Sequence, residues 1–267
     1  MSATRIHDTA IVDRTAELGS NVEVGAYAVI EPGVVIGDDT TVGPHCLVAT
    51  GTTMGRRNKL TGHASVGTAP QDLGFYDVES RLEIGDDNMI REFVSLNRGT
   101  PKESCLTKIG NRNMIMAGAH VGHDCVVGSG VILTNCVLLG GHVHVGDGCV
   151  LSGFVGVNQF TSIGRVSYVG GNSRVVQDVP PFCKVAGDPA EVRMVNEVGM
   201  QRFGMERDDI TEVKHVYRTI FRRGSSVLEE AHSLINDDSP LVRELAEFLV
   251  RKEAGRFGRY RESLRAG

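Results

Sequence analysis

The chain predicts a parallel β-solenoid followed by a small helical domain, and three observations carry that prediction. The first is compositional: of 267 residues 33 are Gly, none is Trp and aromatics make up only 5%. A core without large rings must be filled by something regular. The second is a six-residue repeat. Stepping by six from Ile6 meets Val12, Leu18, Val24, Ile30, Ile36, Val42, Val48, Met54, Leu60 and Val66. The phase returns at Ile84, Ile90 and Leu96, and a reset series runs from Ile109 through Ile115, Val121, Val127, Leu133, Leu139, Val145, Leu151, Val157, Ile163 and Val169 to Val175. The third is a change of character near residue 187: residues 188–267 carry 14 basic and 15 acidic side chains, and their apolar residues fall at helical spacing.

A unit of six is too short for a hairpin or a helix pair, but it accommodates one short strand and one tight corner. Gly follows the anchor 14 times, as at Gly25, Gly37, Gly122 and Gly164, where a missing Cβ permits the corner. Four residues after the anchor stands a small or β-branched side chain in most repeats, such as Ala10, Ala16, Val22, Ala28, Cys46, Ala64, Ala119, Cys125, Val131 and Cys149. Stacked coils should then lie about 4.8 Å apart around a narrow aliphatic interior. The repeat fails at 67–83 (GTAPQDLGFYDVESRLE) and 99–108 (GTPKESCLTK). These are expected to be excursions from a rigid scaffold, the places where binding groups concentrate. The solenoid is thus expected over 1–187 and the helical domain over 188–267. In the latter, ITEVKHVYRTIFRR and PLVRELAEFLVRK read as helices, with Asp237, Asp238 and Ser239 before Pro240 as a start signal.

Charge and cysteine usage narrow the function classes. Lys+Arg 28 against Asp+Glu 33 gives a net charge of −5, which argues against a general nucleic-acid surface. No stretch approaches the length of a membrane span. The opening MSATRIHDTA has no basic-then-apolar leader, so a cytoplasmic location is expected. Cys46, Cys105, Cys125, Cys136, Cys149 and Cys183 form no C-x-x-C pair, which fits a reducing compartment without structural zinc.

The hexads resemble those of the hexapeptide-repeat acyltransferases across about residues 1–187. That resemblance implies a left-handed parallel β-helix of triangular section, three hexads to an 18-residue coil. Several words sharpen it: APQDLGF (69–75), LNRGT (96–100), AHVGHDCVVG (119–128), GGHVHVGD (140–147) and QDVPPF (177–182), followed by a helical tail. Together they resemble the UDP-N-acetylglucosamine O-acyltransferase family. The resemblance implies transfer of a 3-hydroxyacyl chain from acyl carrier protein to the sugar 3-position of UDP-N-acetylglucosamine, the first step of lipid A synthesis. It also implies a homotrimer with sites in the clefts between subunits. No cofactor is expected beyond the phosphopantetheine that carries the donor on acyl carrier protein, and no metal.

Counted in eighteens, His123, Gly141 and Gln159 form one column, and Asp124 lies over His142. Four of nine histidines, His120, His123, His142 and His144, fall in this stretch, none in an anchor or small-residue slot, so all should face outward. The resemblance makes His123 the general base, a group that can take a hydroxyl proton near neutral pH. It makes the Gly141 N–H the oxyanion donor and Asp72 the acid that contacts the sugar and orients the base. Asp124 is the alternative partner of the base. Strand alternation sends neighbours 123 and 124 to opposite faces, which ranks it below Asp72 unless a corner falls between them.

His120, His142, Gln71, Asn158 and Gln159 match substrate-contacting positions. Asn196 and Arg202 match positions used on the uridine diphosphate, where a guanidinium suits phosphate oxygens. Gly171 matches the acyl-chain ruler, a place where a small residue leaves room for a longer chain. His144 matches nothing and is expected on the surface. Cys125 sits in a small inward slot, so an inert packed thiol and direct transfer are expected rather than an acyl-cysteine.

Three departures from the family pattern stand at the sugar and nucleotide contacts: Gly74 where many members have Lys, Asn158 where the commonest form has His, and Val198 where Glu is frequent. They leave a 3-amino sugar, giving an amide, as an alternative acceptor. Two readings of other classes compete: a γ-carbonic-anhydrase-like zinc site on His120, His123 and His142, and a sugar-nucleotide-binding paralogue without turnover. Finally, Arg243, Arg251, Lys252, Arg256, Arg259, Arg261 and Arg265 form a basic tail, either a docking face for an acidic carrier protein or a solvated helix surface.

Overall fold

The computed structural model describes residues 4–76, 78–222 and 226–264. Most hexads fold into a two-residue strand ending on the anchor, with longer strands at Thr52–Met54 and beside the two excursions. Glu23–Val24, Val29–Ile30 and Val35–Ile36 are the three sides of one coil. Strands stack into three sheets, of eleven, nine and eight strands among the described residues. The faces are named here in the order the chain visits them: the first begins at Arg5–Ile6, the second at Ile11–Val12 and the third at Glu17–Leu18. In plain coils the register step is the expected 18, pairing Glu23 with Thr41, Val29 with Leu47 and His120 with Leu138.

Every anchor from Val24 to Val175 is buried in one continuous core. Burying an aliphatic side chain of this size contributes about 1.5–3 kcal/mol, and backbone bonds from coil to coil, such as Glu23 N to Thr40 O at 2.9 Å, hold the short strands in register. In the small slot, Val22, Ala28, Cys46, Ala64, Ala119, Cys125, Val131 and Cys149 are buried too. On three successive coils that slot holds Asn58, Asn88 and Asn113 instead, all buried. The amides form a ladder: Asn88 Nδ2 donates to Asn58 Oδ1 (3.0 Å), Asn113 N to Asn88 Oδ1 (2.9 Å) and Val131 N to Asn113 Oδ1 (2.7 Å). A polar column inside an aliphatic prism is tolerable because each rung supplies its neighbour's hydrogen bonds.

Both excursions leave from the corner between the second and third faces, after Ser65–Thr68 and after Ser95–Asn97. They rejoin at Arg81–Ile84 and Leu106–Ile109, so the ends of the expected 67–83 and 99–108 segments are strand. Register absorbs the insertions: Ser65 pairs with Ser95, and Ser95 with His120. The next corner in this column belongs to His123. Two loops are thereby hung directly above one histidine.

The last parallel strand is Cys183–Gly187, and an antiparallel strand, Ala190–Val195, extends the sheet beyond residue 187. Helices α1 (Glu197–Arg202), α2 (Arg207–Arg222), α3 (Val227–Leu234), α4 (Pro240–Glu253) and α5 (Tyr260–Ser263) follow. Ser239 is the N-cap residue of α4 with Pro at its start, although its hydroxyl makes no capping bond. Phe182, Val195, Met200, Ile210 and Val213 pack the first helices onto the end of the solenoid. Among the described residues no helix is long and apolar enough to cross a membrane.

Candidate active site

The site is built on a corner. The chain leaves the second face after His120–Val121 and enters the third at Val126–Val127. Between them Asp124 takes φ +58°, a left-handed turn that Asn21, Asp39 and Asn172 make at other corners. Asp tolerates this conformation at modest cost. Because the chain turns between 123 and 124, strand alternation does not apply and both side chains point the same way. His123 Nδ1 lies 2.8 Å from Asp124 Oδ2. The expected ranking of Asp72 above Asp124 is therefore reversed: Asp124, not Asp72, is the acid bonded to the histidine.

The Asp124 side chain is fully buried, and a buried carboxylate needs strong donors. It has them in Thr100 N at 2.8 Å, Thr100 Oγ1 at 2.6 Å and the His123 ring. Burial pushes its pKa up, but the hydrogen bonds from His123 and Thr100 outweigh that and leave it below the usual carboxylate range. An ionised carboxylate only accepts, so His123 carries its proton on Nδ1. The lone pair then sits on Nε2, which makes no hydrogen bond within the chain among the described residues.

The predicted column holds. A Cβ on Gly141 would come within 2.7 Å of His123 Nε2, so the imidazole packs directly against this glycine. The Gly141 N–H also makes no hydrogen bond within the described chain. Gly141→Ala should therefore push the ring off its Asp124 partner. Displacements of that size cost about a hundredfold in rate, and single-turnover acyl transfer by the variant, with its melting temperature as control, measures it.

On the neighbouring column His142 is buried and stacks on Phe160 with ring centroids 4.2 Å apart. It meets His123 edge-on at 5.0 Å, and its Nε2 lies 3.7 Å from Asp124 Oδ2. His142 stays outside the aliphatic core, as expected, but it is not open to solvent, because Glu103 of the second excursion and Arg261 of the C-terminal segment cover it. Its Nδ1 is 2.7 Å from Glu103 Oε2, and Arg261 bonds both Glu103 and the His142 carbonyl.

Asp72 reaches the site from the first excursion and is clamped by Lys102 Nζ at 2.5 Å from the second. The Lys102 hydrogen bond and the Gly74 N–H hold its carboxyl below the ordinary range. Lys102 Nζ would stand 3.3 Å from a Cβ at Gly74, so an ammonium from the other excursion occupies the space beside the position where the resemblance leads one to expect Lys.

His120 Nδ1 is 2.8 Å from Ser95 Oγ, and burial followed by the nearby His123 lowers its pKa. His120, His123, Gly141, Gln71 and Asn158 line one cleft of about 670 Å³ with Ser95, Leu138, Gly156 and Arg174. It runs from the His123 ring along the outer side of the second face.

Comparison with known proteins agrees with this architecture. The family model described as Udp N-acetylglucosamine O-acyltransferase, domain 2, matches residues 178–257, and the bacterial transferase hexapeptide model matches 15–50 and 106–141. The acyl-[acyl-carrier-protein]–UDP-N-acetylglucosamine O-acyltransferase of Aliarcobacter butzleri is 44% identical over 251 residues, 94% of this chain and 96% of that protein. The enzyme of that name from Alkalilimnicola ehrlichii is 46% identical over 255 residues, 94% of this chain and 98% of that one. The chain belongs to the UDP-N-acetylglucosamine O-acyltransferase family. The solved UDP-N-acetylglucosamine acyltransferase of Campylobacter jejuni superposes with a TM-score of 0.88 at 33% identity, covering 92% of this chain and 96% of that one. With the family comes the left hand of the β-helix, which periodicity cannot specify.

Other family-matched residues lie outside the His123 cleft. Gln159 is exposed, and Gly171 stands at the far edge of the second face, its Cβ position 3.3 Å from Gly153 O. Asn196 is buried as the N-cap of α1, its Oδ1 accepting from Gly199 N and its Nδ2 donating to Val166 O, so its amide is committed to the fold. Arg202 is exposed at the end of α1. Cys125 is fully buried and its thiol is pushed up to about 12 by burial, which agrees with an inert packed thiol. The basic tail is less free than expected. Arg243, Arg259 and Arg261 spend donors on backbone carbonyls, Lys252 is half-buried, and Arg265 lies outside the described residues. One ligand atom each from His123, Asp124 and His142 lies within 4.8 Å of the others, a set able to hold a metal. It is not the expected trio, because His120 is turned to Ser95, and the Nδ1 atoms of His123 and His142 already face Asp124 and Glu103.

His144, expected on the surface, is half-buried beside α4 and α5, where Phe248, Tyr260 and Arg261 line the same hollow. Burial lowers its pKa from 6.5 to about 4. Between those values the unfolded chain binds a proton that the folded protein refuses, so stability is full above about pH 6.5 and falls as the pH drops toward 4. The shift corresponds to about 3 kcal/mol. His144→Gln should lose that much less stability than wild type between pH 7 and pH 4, read from urea unfolding; equal losses would show that this ring is not responsible.

Proposed function

We propose that this chain is an acyl-ACP–UDP-N-acetylglucosamine O-acyltransferase that moves a 3-hydroxyacyl chain to the sugar 3-hydroxyl, opening lipid A synthesis. The observation that carries the mechanism is the His123–Asp124 pair with a free Nε2 beside the Gly141 N–H, at the wall of one cleft. His123 Nε2 takes the proton of the sugar hydroxyl while the oxygen attacks the thioester carbonyl carbon. The negative charge that develops on the carbonyl oxygen is met by the Gly141 N–H. Collapse of the tetrahedral intermediate breaks the C–S bond, and the imidazolium returns the proton to the departing phosphopantetheine sulfur. Asp124 stabilises the imidazolium formed between these steps and keeps the ring oriented. Cys125, buried with its pKa raised, is unsuited to an acyl-enzyme.

The acyl chain is proposed to run past Leu138 and Gly156 toward Gly171. Leu138 is 52% exposed, and a Cβ on Gly156 would meet nothing within 4 Å. Val121, Leu139, Val157 and Val175 mark that path as three coils, about 14 Å. Arg202 is exposed and away from this cleft, which fits contact with the diphosphate in the cleft of a neighbouring subunit of a homotrimer. The proposed setting is the cytoplasm, with acyl carrier protein as partner.

The test is an acyl-transfer assay offering the 3-hydroxy and 3-amino forms of UDP-N-acetylglucosamine with acyl-carrier-protein thioesters of several lengths, with and without chelator. Ester formation on the 3-hydroxy sugar, unaffected by chelator, is expected. Preference for the amino sugar would reassign the product to an amide; loss of activity with chelator would give the His123, Asp124 and His142 set to a metal; binding of the nucleotide without acylation would make the chain a paralogue.

A further inference from the structure

We infer that Glu103 and Arg261 form a latch that positions the catalytic pair through His142, an inference that rests on the function proposed above. The second excursion is held to the site at three residues: Thr100 on Asp124, Lys102 on Asp72 and Glu103 on His142. Among the described residues, Glu103 is the one of these three that the C-terminal segment also grips. Arg261 bonds its carboxylate and donates through Nε to the His142 carbonyl at 3.2 Å. The Arg261 side chain is 16% exposed and that of Glu103 37%, so an open ion pair alone would be worth little; what distinguishes this one is that Arg261 also holds the His142 carbonyl and Glu103 also holds the His142 ring. A planar guanidinium can serve a carboxylate and a carbonyl at once, which an ammonium does less well.

Arg261 is itself held. Asp178 Oδ2 accepts from Tyr260 N at 2.8 Å, Asp178 N donates to Gly258 O at 2.8 Å, and Arg259 donates to Val176 O at 2.9 Å. The segment before α5 is thus tied to the last turns of the solenoid at Val176 and Asp178. From that anchor a chain of contacts runs Arg261, Glu103, His142, Asp124, His123. Glu103 determines the tilt of the His142 ring, wedged between Phe160 and Asp124, and His142 closes the side of Asp124 that Thr100 and His123 leave open. Neither Glu103 nor Arg261 lines the substrate cleft, so both are positioning residues.

Glu103→Gln and Arg261→Gln should each lower kcat about tenfold with the KM for sugar nucleotide and for acyl carrier protein within twofold of wild type, the signature of an interaction realised in the transition state. The double variant should be no worse than either single one, because the two residues act as a unit. Arg261→Lys should fall between wild type and Arg261→Gln. Unchanged kcat in both single variants, or losses that add, would overturn the latch. If the wild-type protein itself proves inactive, the function fails and not the latch. Imidazole NMR still decides it: the His123 Nδ1–H resonance should shift in Glu103→Gln, and an unshifted resonance refutes the coupling.

Discussion

His123→Ala lowers kcat for acyl transfer by about a thousandfold, within the range expected for loss of a general base, while the KM for UDP-N-acetylglucosamine changes little. The ring lies outside the aliphatic core and packs over Gly141 and against His142, so its removal leaves the prism intact and the melting temperature near that of wild type. The loss falls on kcat because Nε2 engages the hydroxyl proton only as the bond to carbon forms. Single-turnover kinetics with saturating acyl carrier protein separate this from slow release. A residual rate within tenfold of wild type would remove His123 from the base role.

The second large effect is a difference between two acids. Asp124→Asn should cost a hundredfold or more in kcat, about 3 kcal/mol, because an amide can donate to His123 Nδ1 and stabilise the wrong tautomer. The same change takes the acceptor from the Thr100 hydroxyl, which Asp124 Oδ2 now receives at 2.6 Å, and leaves the Thr100 N–H on Oδ1. Asp72→Asn should cost less than tenfold in kcat and act mainly on the KM for sugar nucleotide, since Asp72 bonds Lys102 rather than the base. Measuring both variants under one set of conditions tests the order. Equal losses, or a larger loss at Asp72, would return the orienting role to the first excursion.

That order shows where reading along the chain stops working. Strand alternation is a rule for extended backbone, and it fails at Asp124 because the residue turns left-handed at the corner. His123 over Gly141 was legible because both lie on the 18-residue lattice. The excursions were legible as breaks in the lattice, but what they touch was not. Thr100, Lys102 and Glu103 lie in a segment with no period, and Arg261 is 158 residues from Glu103. Asn58, Asn88 and Asn113 could have been found, since each stands in the small slot of its hexad. A polar residue repeating in an inward slot is the signal for a ladder.

Everything that repeats follows from the order of residues along the chain: the inward anchors, the coil step, and hence the stacking of His123 on Gly141. A six-residue period leaves each side chain one place on the prism, and hydrophobic burial enforces it. Which acid bonds the base, why His142 and His144 are covered, and how the C-terminal segment reaches the site come from long-range packing. Those contacts join a corner, an irregular loop and a distant helix, and their formation depends on how separately folded parts meet rather than on any spacing along the chain.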